Sequence, residues 1–170
     1  GDSETYRGLS DLAYLESTAF ANQTAAQWYA ARAAAVAAGV AGLWNASTQT
    51  YDVANQGSTI TPALLQTFAP DAASQLFPIV NGAVSPTDPH AQTVYAAFNR
   101  NYPDWDALSI PDEFPWAVLA VAAETMSDDA RATAYVAAVQ QRFVPTGFAW
   151  PWYCAEAGWY MRASATLAHT

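Results

Sequence analysis

The chain contains no lysine: its 6 basic residues are all arginine, against 15 acidic ones, and the net charge is −9. A chain so short of cations lacks the basic footprint that nucleic-acid phosphates require. It has no electrostatic attraction for anionic membranes either. The single cysteine, Cys154, excludes an internal disulfide and a cysteine-based zinc site. Two histidines far apart in sequence, His90 and His169, do not make a transition-metal constellation, and Asp104, Asp106 and Asp112 lack the spacing of a calcium loop. No metal and no cofactor is therefore expected. No apolar run approaches the ~20 residues of a membrane span, because Arg32, Gly39, Gly42, Glu124 and Gln140 interrupt the greasiest stretches. There is no Gly-x-Ser-x-Gly turn, no histidine near Cys154 and no glycine-rich phosphate loop.

What is present is alanine, aromatics and breakers at telling positions. At 170 residues the chain reads as one domain, or part of a larger one, able to bury roughly 70% of its unfolded surface. Asp2 or Ser3 can cap a first helix from about Glu4 to Ala19, with Tyr6, Leu9, Leu12, Ala13, Leu15 and Phe20 at helical spacing. Asn22 to Thr24 is a short turn and a new cap for an alanine-rich second helix from about Ala25 to Leu43. The two read as an antiparallel αα-hairpin. Trp44 to Ser58 is a long polar loop. Short helical pieces are expected between Ala63 and Val80, divided by Pro70 and Pro78, and Asp88-Pro89 opens a fourth helix to about Asn101. After a second long loop from Tyr102 to Trp116, a fifth helix runs to about Met126. Ser127 to Asp129 caps a sixth, to Phe143, and the last runs to about Ala168. No strand alternation of useful length appears, so the chain reads as all-α, about seven helices in antiparallel hairpins.

The densest chemistry lies between Thr146 and Trp159, where Phe148, Trp150, Trp152, Tyr153 and Trp159 surround one carboxyl, Glu156. Pro151 blocks a helix in the first half of this stretch, and from Cys154 nothing does. Glu156 therefore falls in a first helical turn, where the helix dipole favours the anion and lowers the expected pKa. Flat aromatic faces beside hydrogen-bonding carboxylates suit a ligand with apolar faces and hydroxyl edges, such as a sugar; packed core aromatics are the alternative.

The connections alternate, short after helices one, three and five and long after helices two, four and six. In a row of antiparallel hairpins every second connection lies at the same end, so the long loops and the N-terminal residues are expected on one face. That face would collect Asp2, Glu4, Trp44, Tyr51, Asp52 and the acids and aromatics of the later loops. Alternating helices with long loops on one face and acid/aromatic pairs at helix starts resemble the (α/α)-toroid or six-hairpin glycosidases. The residues carrying the likeness are Tyr6-Arg7-Gly8-Leu9-Ser10-Asp11-Leu12-Ala13, the hairpin through Trp28 and Arg32, and Leu43-Trp44-Asn45-Ala46-Ser47-Thr48-Gln49-Thr50-Tyr51. A complete toroid has about twelve helices, so this chain would supply a half and is expected to be a C-terminal half or fragment.

The resemblance implies a carbohydrate-active site at the helix-start face, a secreted or extracellular setting, and oligo- or polysaccharide as partner, with a missing half-domain or second chain completing the ring. Glycoside hydrolysis uses two carboxyl groups. Glu113 and Glu156 are the preferred catalytic pair, each at a helix start beside Trp116 or Trp159; taken alone, each reads more readily as an ordinary first-turn acid. Asp2 and Asp112 read as N-caps. Glu4, Asp104, Trp105, Trp116, Trp150, Trp152 and Tyr153 are the expected substrate-binding residues. Among them Trp105, Trp150 and Trp152, in loops next to proline, are expected to be exposed. A non-catalytic glycan-binding module and an interaction domain pairing through an apolar edge are the competing readings.

Overall fold

A computed structural model describes residues 1–168, and these divide into two compact units, residues 1–63 with 77–93, and residues 64–76 with 94 onward. His169 lies outside the described residues. The described chain is all-α apart from four two-residue strands.

The first unit is built on α1 (Asp2–Thr18) and α2 (Gln23–Ala41). They pack extensively against each other. Ala26, Ala33 and Val40, seven residues apart, are buried along α2, and Ser3 is buried on α1. Small residues at heptad spacing leave a seam without bulky knobs, so the two backbones approach closely. Asn22 caps α2 as expected, its Oδ1 accepting from the Ala25 N–H at 3.2 Å. Asp2 lies inside α1 and caps nothing, because the helix begins at Asp2 itself, ahead of its expected start at Glu4.

The expected loop after α2 instead folds into two tight antiparallel hairpins. β1 (Trp44–Asn45) pairs with β2 (Thr50–Tyr51), and β3 (Ala54–Asn55) with β4 (Ile60–Thr61). Asn45 organises the first turn: its Oδ1 accepts from Ser47 Oγ at 2.6 Å and its Nδ2 donates to Asp52 Oδ1 at 3.0 Å. Trp44 stands edge-on to Tyr51 and stacks on His90, ring centroids 3.9 Å apart. Strands of two residues carry no legible alternation, which is why the sequence reads them as loop. The short helix α3 (Phe77–Val80) and the first turn of α4 (Pro89–Asn101) complete this unit.

In the second unit the rest of α4 is joined by α5 (Val118–Thr125), α6 (Asp129–Phe143) and α7 (Cys154–Leu167). Every residue from Val118 to Ala123 is buried, as expected of a helix apolar on all sides, and α5 packs on both α6 and α7. Phe68, Phe98, Trp105 and Tyr135 provide the bulk of the core. Asp128 caps α6, accepting from the Arg131 N–H. The turn into it is a Schellman motif. Asp128 N–H donates to the Ala123 carbonyl at 2.8 Å and Ser127 N–H to the Glu124 carbonyl at 2.9 Å, with Ser127 in the left-handed region at φ 61°.

Candidate functional site

The site lies in the second unit, where the segment before α5 meets the start of α7. The fifth helix starts at Val118, after the expected loop to Trp116, and so beyond Asp112 and Glu113, which were expected at its start. Pro115 and Trp116, the latter at φ 55°, hold the chain out of helical geometry until Val118. Glu113 is consequently in the loop and exposed, not in a first helical turn. Asp112 is not the helix cap either: its Oδ1 accepts from the Phe114 N–H at 2.8 Å, closing a local turn.

The start of α5 is capped from another helix. Glu156, in the first turn of α7 and only 4% exposed, accepts the Ala117 N–H on Oε2 at 2.6 Å and also bonds the Trp116 N–H. Tyr135 of α6 donates its hydroxyl to the Pro115 carbonyl at 2.7 Å. Thus α6 and α7 both fix residues 115–117 through buried hydrogen bonds, which specify position strongly because any partner left unmade is costly.

Burial sets the ionisation of Glu156. Its pKa is raised, first by loss of solvent, and further by the charge of Asp112; the two backbone N–H bonds oppose this. The sequence expectation of a lowered pKa is therefore overturned. The dipole argument holds for an exposed first-turn acid, whereas this one is enclosed. Asp112, and not Glu113, is the acid whose charge reaches Glu156. The Tyr153 hydroxyl is raised as well, by burial and then by Glu156 and Asp112, which places all three groups together.

Beside these acids is an open aromatic surface. Trp150 is 70% exposed and Tyr153 45% exposed. Both stand edge-on to Phe114, with ring centroids 5.4 and 5.3 Å away. Trp116 is half-buried, its ring edge-on to Phe68 at 5.3 Å, and its Nε1 is shielded without a hydrogen-bond partner among the described residues.

The remaining expected residues are distributed differently. Trp105 is 1% exposed, its Nε1 donating to Asn99 Oδ1 at 2.8 Å. The expectation that it is exposed fails, because the turn at Pro103 directs the indole into the core beside Tyr135. Trp152 is half-buried, packed on Phe143, Phe148 and Tyr160. Phe148, Trp152 and Tyr160, with Ala157 and Met161, line an apolar groove of about 310 Å³. Asp104 is an exposed turn residue whose carbonyl accepts from Ala107 and Ser109, and Asp106 pairs with Arg131 at 3.5 Å. Glu4 belongs to the first unit, exposed and paired with the Gly1 amino group.

Phe114 is the member that sequence reasoning passed over, and Asp112 the one it read as a helix cap. Their only signal was an Asp two residues before an aromatic in a proline-bounded loop. Among the described residues no group of three or more His, Cys, Asp or Glu side chains could hold a metal ion, and no helix is long and apolar enough to cross a membrane. Comparison with protein-family models, curated proteins and solved structures finds no match to this chain.

Proposed function

We propose that this chain is a carbohydrate-active domain and part of a glycoside hydrolase, working by carboxyl general acid/base chemistry. One observation carries the reading: exposed Trp150 and Tyr153 share a surface with Phe114, directly beside the Asp112–Glu156 pair. Exposed rings offer apolar faces to sugar C–H groups, while acids take the hydroxyl edges. A buried carboxyl whose pKa is raised is suited to protonate a leaving oxygen, and a neighbouring carboxyl group to act as base or nucleophile. Glu156 is the proposed proton donor and Asp112 its partner, with exposed Glu113 a third carboxyl at the rim.

The helix arrangement supports placing the chain among (α/α)-toroid proteins. The start of α7 caps the start of α5, and Thr166 near the end of α7 bonds Glu124 near the end of α5, so the two run parallel, with α6 packed on both. Parallel odd-numbered helices are what a ring of αα-hairpins requires. The reading also implies a secreted or extracellular polysaccharide as substrate and a further half-domain or second chain to complete the ring.

The test is release of reducing ends from a polysaccharide panel by the wild type and by Asp112→Asn, Glu113→Gln and Glu156→Gln. Loss of turnover in the first and third variants, with folding retained, is expected. Undiminished turnover in both removes them from the mechanism.

A second reading has its own support, since Glu156 is engaged as a cap by two backbone N–H groups. A carboxylate so occupied suits a glycan-binding module without catalysis. That reading predicts saturable binding lost in Trp150→Ala, retained in Glu156→Gln, and no products from any glycan.

A further inference from the structure

The sign of the charge around the aromatic surface says which glycans can lie on it. Acidic sugars are usually held by arginine forks, which match a carboxylate or sulfate with paired N–H donors. The chain has no lysine to substitute. Of the second unit's arginines, Arg100 is exposed in the last turn of α4, and Arg131 is engaged by Asp106, Asp128 and the Pro103 carbonyl. Arg162 lies beside Trp159 and acts on Glu124. Arg142 lies beside Phe143 and acts on the Tyr135 hydroxyl, which is fully buried. Asp112, by contrast, lies against the aromatic surface, its Oδ1 accepting from the Phe114 N–H at 2.8 Å, and its charge acts on both Tyr153 and Glu156. Exposed Glu113 adds a further negative charge in the same loop.

We infer that the Phe114–Trp150–Tyr153 surface takes glycan units without negative charge, neutral or amino sugars, and turns away uronic-acid and sulfated units. The inference rests on the carbohydrate reading of this site. The rings make the contact and the acids set its selectivity: an anionic substituent on a sugar seated there meets like charge. Partly screened carboxylates at such range weaken binding on the order of tenfold at low ionic strength, and salt reduces the difference.

The experiment is a tryptophan-fluorescence titration with oligosaccharides of equal length in matched series, each neutral backbone paired with its 6-carboxylate and its 2-amino counterpart. At least one neutral or amino member is expected to bind. Its carboxylate counterpart should bind about tenfold or more weakly at 20 mM salt, with the gap narrowing at 0.5 M salt and in Asp112→Asn. Equal or tighter binding of the carboxylate overturns the inference and leaves the carbohydrate reading standing. Absence of binding by every member of every series overturns that reading and this inference with it.

Discussion

Glu124 provides the sharpest quantitative test of the packing between α5 and α7. It sits in the last turn of α5, half-buried, with Oε1 shielded and without a hydrogen-bond partner among the described residues. Loss of solvent pushes its pKa up from 4.5 to about 7, and the charge of Asp129 on α6 adds to this. A hydrogen bond with Thr166 and the charge of Arg162, both on α7, pull the other way. The last carbonyls of α5 are themselves a poor environment for an anion.

The sign follows from which state holds the proton. Between pH 4.5 and about 7 the unfolded chain is ionised at this position while the folded chain keeps its proton. The folded state therefore binds more protons, and stability falls as pH rises through that window. Below it the group costs nothing, and above it the full penalty is present. At about 1.4 kcal/mol per tenfold change in proton affinity, the displacement corresponds to about 3 kcal/mol. Solvent screening of a half-buried group reduces this to about 1–2 kcal/mol. Glu124→Gln keeps the shape of the protonated acid and cannot ionise. It should exceed the wild type at pH 8 by about 1–2 kcal/mol, or about 2–8 °C in Tm for a chain of this size, and match it near pH 5. Urea denaturation at the two pH values reads this directly. A gap of the same size at both would show that ionisation of Glu124 is not its source. A variant less stable than the wild type at pH 8 would show that Arg162 and Thr166 outweigh burial.

Four further outcomes follow from the same contacts. Glu156→Ala leaves the Trp116 and Ala117 N–H groups without their acceptor and should cost about 2–4 kcal/mol, whereas Glu156→Gln, which can still accept, should cost under about 1 kcal/mol; chemical denaturation separates them. Trp105→Ala should lose about 3–5 kcal/mol of stability, while Trp150→Ala, at an exposed position, should stay within about 0.5 kcal/mol of wild type and lose only glycan binding. Tyr135→Phe strands the buried Pro115 carbonyl and should cost about 1–3 kcal/mol, seen as a lowered Tm. Ser127→Gly, at a left-handed position that glycine occupies without penalty, should gain up to about 1 kcal/mol in the same assay; a loss there would mean that the serine side chain makes a compensating contact.

The helices were legible because their punctuation is local. Asn22 and Asp128 cap the helices they precede, Pro89 opens α4 in its first turn, and the unbroken apolar run of α5 is the buried helix of its unit. What the sequence concealed is set by tertiary partners. Glu156 reads as a first-turn acid of its own helix and turns out to cap α5, its acceptor oxygen bonding an N–H 39 residues away in sequence. Trp105 sits beside prolines as an exposed loop residue would, yet its indole N–H finds Asn99 and the ring enters the core. Nothing local announces the left-handed Trp116, which moves the start of α5 beyond Glu113 and leaves Asp112 as the acid that meets Glu156. Asp112, Phe114, Trp150, Tyr153 and Glu156 all belong to the second unit, whereas Glu4 belongs to the first.

The parallel pair α5 and α7 carries an ionisable carboxyl at each end, and this allows two pH effects to be separated. Glu156 stands at the start of α7 with Asp112 in the loop before α5, and Glu124 near the end of α5. A proton donor at Glu156 is lost as pH rises through its raised pKa, and a stability term at Glu124 is lost in the same direction. In the wild type both would depress activity at alkaline pH. Glu124→Gln removes the stability term and leaves the starts of both helices untouched. If the alkaline fall in turnover persists in that variant while the fall in stability disappears, the activity limb belongs to the Asp112–Glu156 pair. If both disappear together, the limb reported unfolding, and the assignment of Glu156 as proton donor fails.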